Sequence, residues 1–151
     1  MLPHCRRVGP IFVDVIAVVE DEAQVRDFTC RVLAAHGYHC VEASNGVEAL
    51  DVMRERGESI DAVVTDVVMP GLGGGALAQR LAEQRPRVPV LFTSAYSGED
   101  VVRRGLIPAD APFLQKPFTP QALVTKLQEL SVRNISGGSR EAAVTDRSAE
   151  E

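Results

Sequence analysis

Charged and hydroxyl side chains stand where several apolar segments of strand length come to an end. The first such segment is followed by Glu20-Asp21-Glu22, the third ends at Asp66, the fourth at Ser94, and the fifth is followed by Lys116. A carboxylate at the end of a buried strand costs free energy unless something pairs with it, so Asp66 either caps a turn or does chemistry. Any one of these residues could simply begin a loop. As a set they are chemically complementary, which favours a site.

The chemistry indicated by this set is phosphoryl transfer to a carboxylate. Two carboxylates about 4 Å apart repel by roughly 4 kcal/mol at an effective dielectric constant near 20, so Asp21 and Asp66, with Glu20 beside them, favour a bound cation. Oxygen ligands on an open site suit Mg²⁺, which keeps several waters and accepts phosphate oxygens. Lys116 offers a positive charge to a phosphoryl oxygen and Ser94 offers a hydroxyl donor, which leaves Asp66 as the nucleophile.

The elements that must position these residues are strands alternating with helices. We predict strands over residues 13–19, 38–43, 61–67, 88–95 and 111–115, with a helical pattern after each. The first strand is nearly continuous in apolar residues, as expected for a strand covered on both faces. This alternation predicts an α/β fold with a parallel, doubly wound sheet and right-handed crossovers. In such folds the ligand site lies beyond the carboxyl ends of the strands.

Helix boundaries can also be predicted from local signals. Gly37 is placed to end the first helix, and Ser44 or Asn45 to cap the second. Ser97 begins a capping-box pattern for a short fourth helix, and Thr119 caps the last helix. The apolar face of the first helix is predicted to comprise Val25, Phe28, Val32 and Leu33.

Composition limits the function classes. The chain has 151 residues, of which 45% are hydrophobic and 25% charged, as in one ordinary domain with a core. Its formal net charge of −5, without a basic cluster, argues against nucleic-acid binding. No segment reaches the roughly 20 apolar residues of a membrane span. We expect an N-terminal extension over 1–13, one domain over 14–130, and a flexible polar tail over 131–151.

The number of cysteines predicts that the protein works in a reducing compartment. Cys5, Cys30 and Cys40 are too few for a disulfide framework. We therefore expect free thiols and a cytoplasmic protein. The basic pair near the N-terminus lacks the cleavage site of an export signal, which agrees with that expectation.

Four segments resemble the motifs of a known family. They are VVEDE at 18–22, DVVMPGLGG at 66–74, FTSAY at 92–96 and FLQKPF at 113–118. In this order they are similar to the receiver domains of two-component response regulators, including those attached to hybrid histidine kinases. The resemblance covers about residues 14–130. It implies a flavodoxin-like (βα)5 fold with five parallel strands in the order 2-1-3-4-5.

The resemblance also implies a phosphoacceptor role for Asp66. The phosphoryl group would come from the phosphohistidine of a histidine kinase or a histidine phosphotransfer protein. Asp21, Asp66 and the backbone carbonyl of Val68 would bind Mg²⁺, with Glu20 acting nearby or through water. Glu20 stands where an aspartate is usual, and its longer side chain can still reach a metal-bound water.

A conformational switch is implied as well. In this family Ser94 and Lys116 would contact the phosphoryl oxygens, and the Lys116–Pro117 peptide is often cis. Movement of Ser94 toward the phosphate would let Phe113 turn inward and alter the face formed by the fourth helix, fifth strand and fifth helix. A downstream protein would read that face. Phe113 replaces a frequent tyrosine, so it could instead be an ordinary core aromatic.

Two positions of the resemblance bear on phosphate lifetime, namely Val68 and Tyr96. A branched apolar side chain and a bulky ring would both hinder a water positioned to attack the acyl phosphate. We therefore expect slow autodephosphorylation.

The sequence is also compatible with two other functions. One is a receiver-like scaffold that binds partners without phosphorylation. Another is a phosphohydrolase with an aspartate nucleophile, although Val68 occupies the position where such enzymes carry a second acid. As a signalling module the chain would be a monomer or weak homodimer without a DNA-binding output domain. It could be a free-standing regulator, a phosphate shuttle or sink, or part of a hybrid kinase.

Overall fold

The computed structural model describes residues 15–56 and 59–130. The strands are β1 (Val15–Val19), β2 (His39–Ala43), β3 (Ala62–Asp66), β4 (Val90–Ser94) and β5 (Phe113–Gln115). The helices are α1 (Ala23–Ala35), α2 (Gly46–Arg56), α3 (Gly74–Gln84), α4 (Gly98–Arg103) and α5, which covers 120–130. Strands and helices therefore alternate along the chain as predicted.

The strands form one parallel sheet in the order β2-β1-β3-β4-β5. Val19 lies opposite Ala43 of β2 and Thr65 of β3, and Asp66 lies opposite Thr93 of β4. This register brings the carboxyl ends of β1, β3 and β4 to one edge of the sheet. The doubly wound, flavodoxin-like fold class and its strand order are confirmed.

Helices cover both faces of the sheet, and alternate residues of each strand point to opposite faces. Ile16 and Val18 of β1 belong to a core that includes Leu33 of α1 and Leu123 and Leu127 of α5. On the other face, Ala17, Val19 and Val63 pack with residues of α2 and α3, namely Met53, Leu77 and Leu81. Central strands buried on both faces explain why the apolar runs of β1 and β3 are nearly continuous.

The predicted caps are present at three helices. The side-chain oxygen of Asn45 accepts the backbone N–H of Glu48 at 2.8 Å, which makes Asn45 rather than Ser44 the cap of α2. Ser97 Oγ accepts the N–H of Asp100 at 3.1 Å. Thr119 Oγ1 accepts the N–H of Ala122 at 3.1 Å. Each hydroxyl or amide oxygen satisfies an N–H that has no partner within its helix.

Several details differ from the prediction. Strands β2 to β5 are shorter than predicted; β5 is reduced to three residues, and β4 begins at Val90 because Pro89 lacks the N–H for a ladder bond. Phe28 lies on α1 but is 41% exposed, since the core side of α1 is formed by Thr29, Val32 and Leu33. The predicted extension 1–13 and tail 131–151 lie outside the described residues.

The expectation of free thiols is wrong for one pair, because the structure joins Cys30 of α1 and Cys40 of β2 in a disulfide. Their Cα atoms are 5.7 Å apart, within the ordinary range for such a bond. Sequence spacing did not reveal the pair, since it depends on how α1 turns back onto β2. Among residues 15–56 and 59–130, no helix is long and apolar enough to cross a membrane.

Candidate functional site

Three carboxylates meet at the carboxyl edge of the sheet. Asp66 is the last residue of β3, and Glu20 and Asp21 follow β1, its neighbour in the sheet. One carboxylate oxygen from each lies within 4.8 Å of the others. Glu20 and Asp66 are buried, whereas Asp21 is exposed. The cluster is therefore buried on the side of Glu20 and Asp66 and open to solvent on the side of Asp21.

Lys116 supplies the opposing charge. Its Nζ lies 3.1 Å from Glu20 Oε1 and 3.4 Å from Asp66 Oδ2. The backbone N–H of Lys116 donates to the carbonyl oxygen of Ser94 at 2.8 Å, which ties the loop after β5 to the end of β4. The peptide between Lys116 and Pro117 is cis, as the sequence resemblance implies.

The environment of these groups shifts their pKa values. Burial, followed by repulsion from Glu20, raises the pKa of Asp66 from its ordinary value of 3.8 to about 7, although Lys116 opposes the shift. Burial disfavours the charged form of Lys116, but attraction from Asp66 and Glu20 outweighs it and raises the pKa of the ammonium. At neutral pH Asp66 is therefore partly protonated unless a further positive charge enters the cluster.

The donor set fits a hard divalent cation. Glu20, Asp21 and Asp66 present only oxygen ligands, one of them from an exposed side chain that leaves room for metal-bound water. Three carboxylates against one lysine leave the cluster short of positive charge, which a cation would supply. Val68 follows in the loop after β3 and is 49% exposed. Its proposed backbone contribution to metal binding stays a prediction.

Ser94 and Phe113 lie on neighbouring strands. Ser94 is buried at the end of β4, and its Oγ accepts the backbone N–H of Tyr96 at 3.1 Å. Phe113 begins β5 and lies opposite Phe92 in the register. A Cβ atom at Gly98, the first residue of α4, would lie 3.2 Å from the Phe113 ring, so this ring packs directly on the helix backbone.

Tyr96 is an exposed residue whose ring contacts a cation. The residue is 45% exposed, and the guanidinium carbon of Arg104 lies 4.9 Å from the ring centroid. Such a contact favours one placement of the ring beside the site.

The loop after Asp66 is fixed by a close backbone approach that the sequence analysis did not identify. A Cβ atom at Gly74 would lie only 2.2 Å from the carbonyl oxygen of Asp66. The N–H of Gly74 donates to the carbonyl oxygen of Val67 at 2.9 Å. Only glycine therefore lets α3 begin against the end of β3.

An apolar groove beside Lys116 was also missed. It has a volume of about 420 Å³ and lies between α1 and the loop after β5. The rings of Phe28 and Phe118 lie with centroids 6.1 Å apart and planes tilted by 43°. The helical spacing of apolar residues predicted Phe28 on the apolar face of α1. Only the structure shows that Phe28 is exposed and lines this groove.

These features define a doubly wound α/β domain with an acidic, lysine-bearing site at the carboxyl edge of its sheet. Residues 16–128 match the model of the response regulator receiver domain. The chain belongs to this family.

Individual relatives agree with that assignment. The chain is 44% identical over 117 residues to the sensor kinase CckA of Brucella abortus (strain 2308), covering 76% of this chain and 12% of that protein. It is 30% identical over 117 residues to the response regulator receiver protein CpdR of the same organism, covering 78% of this chain and 96% of that one. The chain thus spans a small part of one relative and nearly the whole of the other.

Solved structures show the same fold. The receiver domain of the hybrid histidine kinase CckA matches with a TM-score of 0.66 and 32% identity, covering 78% of this chain and 98% of that one. A response regulator receiver domain protein from Clostridium thermocellum matches with a TM-score of 0.71 and 26% identity, covering 80% and 96%.

Proposed function

We propose that the chain is a phosphoacceptor that takes a phosphoryl group from a phosphohistidine onto Asp66 in a Mg²⁺-dependent reaction. The observation that carries this proposal is the buried carboxylate of Asp66, with two further acids beside it and Lys116 Nζ at 3.4 Å. In the transfer, an Asp66 oxygen forms a bond to phosphorus while the bond from phosphorus to the histidine nitrogen breaks. The imidazole leaves with the bonding electron pair and takes up a proton.

The residues of the chain would divide this work. Glu20, Asp21 and Asp66, with the backbone carbonyl of Val68, would hold Mg²⁺. The ion would neutralise the acids and the charge on the transferred phosphoryl oxygens. Lys116 would shift from the Asp66 carboxylate to a phosphoryl oxygen; its ammonium lies within 3.4 Å of both Glu20 and Asp66, which supports this role.

Ser94 and Phe113 would carry the signal outward. Ser94 Oγ now accepts the Tyr96 N–H, and its own proton is available to a phosphoryl oxygen. Beside Phe113, a cavity of about 350 Å³ lies between α4 and the chain leading into β5. A ring that turns inward would change this surface, so we place the downstream protein contact on the face formed by α4, β5 and α5.

The phosphohistidine would arrive on the other side of Lys116. The groove there combines Val25 and Phe28 of α1 with Pro117 and Phe118 of the following loop. An apolar helix of a histidine kinase or histidine phosphotransfer protein could cover these exposed rings and bring its histidine toward Asp66.

The remaining parts of this proposal concern cellular setting. The receiver would extend over 14–130 and act as a monomer or weak homodimer in the cytoplasm, a location that membership of the receiver family favours and the Cys30–Cys40 bond does not. It would signal by protein contact and not by binding DNA. Since Val68 offers no acid to a leaving group, the chain would not turn over external phosphate esters as an enzyme.

Small phosphodonors test the proposal directly. The protein is incubated with acetyl phosphate or phosphoramidate, with and without Mg²⁺, and its intact mass is measured. We expect a gain of one phosphoryl group that requires Mg²⁺ and is lost in Asp66→Ala but kept in Asp51→Ala, which removes an exposed acid of α2. No gain in the folded wild-type protein would favour the scaffold alternative.

A further inference from the structure

We propose that Arg26 is a positioning residue that fixes the backbone between Glu20 and Asp21 for metal binding. Arg26 lies on the first turns of α1, and its Nη1 donates to the carbonyl oxygen of Glu20 at 2.6 Å. It therefore contacts the chain between two of the three clustered acids. The inference rests on the proposed function insofar as that cluster is taken to bind Mg²⁺.

The contact controls Asp21 through the planarity of the peptide bond. The carbonyl of Glu20 and the nitrogen of Asp21 belong to one rigid peptide unit, so the direction of that carbonyl sets the direction of the Asp21 Cα. On the other side, the N–H of Glu20 donates to the carbonyl oxygen of Ala43 at 3.1 Å. Glu20 is thus held at both its N–H and its C=O, by β2 and by Arg26.

The carboxylate of Glu42 orients the guanidinium of Arg26. Arg26 Nε lies 3.2 Å from Glu42 Oε1 on β2. The Arg26 side chain is only 19% exposed, whereas that of Glu42 is 54% exposed. Because the guanidinium is a rigid planar fork, fixing Nε against Glu42 also fixes the direction of Nη1. A lysine carries the same charge but cannot make both contacts in this geometry.

Positioning and simple electrostatics predict opposite outcomes for Arg26. A cation close to a metal site repels Mg²⁺, so loss of charge alone would tighten Mg²⁺ binding. Loss of the carbonyl contact would free the turn and weaken Mg²⁺ binding, by about tenfold if Arg26 acts like other residues that support metal ligands. The sign of the change separates the two explanations.

Arg31 provides the matched control. It lies on the same helix, and its Nη2 pairs with Asp27 at 3.0 Å on an exposed surface. Arg31→Gln therefore removes the same charge from α1 without touching the turn after β1. We compare Arg26→Gln, Arg26→Lys and Arg31→Gln in the full chain, by calorimetric titration with Mg²⁺ and by hydrogen exchange of the Asp21 and Glu22 amides in metal-free protein.

Arg26→Gln is expected to bind Mg²⁺ about tenfold more weakly and to exchange these two amides faster. Arg26→Lys should recover only part of the affinity, and Arg31→Gln should match or slightly exceed the wild type. Equal or tighter binding by Arg26→Gln, with its thermal unfolding intact, would overturn the proposal, as would a wild-type chain that binds no Mg²⁺. A wild-type chain that binds Mg²⁺ but cannot be phosphorylated would overturn only the proposed function.

Discussion

Lys116 and Asp66 lie 3.4 Å apart, Nζ to Oδ2, although 50 positions separate them in the sequence. Asp66 ends β3 and Lys116 follows β5, so the lysine reaches past the end of β4 to meet the carboxylate. The pair contains the nucleophile of the proposed reaction and the cation that would meet the transferred group. Its energetics can be measured before any kinase is known.

Replacing Lys116 with methionine should raise the pKa of Asp66 above about 7 in metal-free protein, because the lysine is the attraction that opposes burial and repulsion from Glu20. Carbon-detected NMR titration of the Asp66 carboxyl group measures this pKa. Lys126→Met, which removes a cation of α5 paired with Glu129, serves as the control. A pKa of Asp66 that does not move in Lys116→Met would contradict the role assigned to the ion pair.

Asp66→Asn should stabilise the metal-free protein at neutral pH. The folded-state pKa of Asp66 is raised, so its protonated form is favoured in the fold. Its ionisation costs nothing below about pH 4, destabilises the fold increasingly between about pH 4 and 7, and then stays at a constant penalty of at most about 4 kcal/mol. Urea unfolding from pH 4 to 8 should show a gain in stability for Asp66→Asn that grows up to about pH 7 and then levels off. The exposed control Asp51→Asn should show no such gain, and a gain independent of pH would count against the assigned pKa.

The acyl phosphate lifetime should depend on Val68 and Tyr96. Their side chains are 49% and 45% exposed in the loops that follow β3 and β4. Val68→Asn combined with Tyr96→Ser should speed phosphate loss by about tenfold, or about 1.4 kcal/mol of barrier, because water would reach the phosphorus more easily. Decay after removal of the phosphodonor is followed by intact mass. Val47→Asn, an exposed valine of α2, is the control, and an unchanged lifetime in the double variant would refute the role of this pair.

Gly74→Ala should destabilise the domain by about 2–4 kcal/mol, because the added Cβ would meet the carbonyl oxygen of Asp66. That atom belongs to backbone and cannot move aside without displacing the end of β3. Chemical unfolding measures the loss, and Gln79→Ala on the exposed side of α3 provides the control. A variant as stable as the wild type would show that the approach of α3 to β3 is not fixed.

The sheet and the acidic site at its edge were predictable because both follow from patterns between residues that are close in the sequence. Apolar runs marked the strands, and parallel strands place their carboxyl ends on one edge, so Glu20, Asp21, Asp66 and Lys116 could be expected to meet. Helix caps such as Ser97 and Thr119 were equally local signals. The roles of these site residues in phosphoryl transfer stay predictions.

Other features depend on packing between distant segments and left no readable pattern. Arg26 looks like any helical arginine until its reach to the Glu20 carbonyl is seen. The approach of Gly74 to Asp66 was hidden among four glycines between positions 71 and 75. The bond between Cys30 and Cys40 requires the rotation of α1 relative to β2. Each of these three contacts depends on how distant segments pack together, which the spacing of residues in the sequence does not specify.

Asp66 as the phosphoacceptor is the central element of the proposed function. We would incubate the protein with acetyl phosphate and Mg²⁺, reduce it with sodium borohydride, and sequence the tryptic peptide 57–80 by tandem mass spectrometry. Borohydride converts an aspartyl phosphate to homoserine, so the account predicts homoserine at position 66 and unmodified Asp61. Homoserine at another acid, or an unmodified Asp66 in protein that has gained a phosphoryl group, would contradict it.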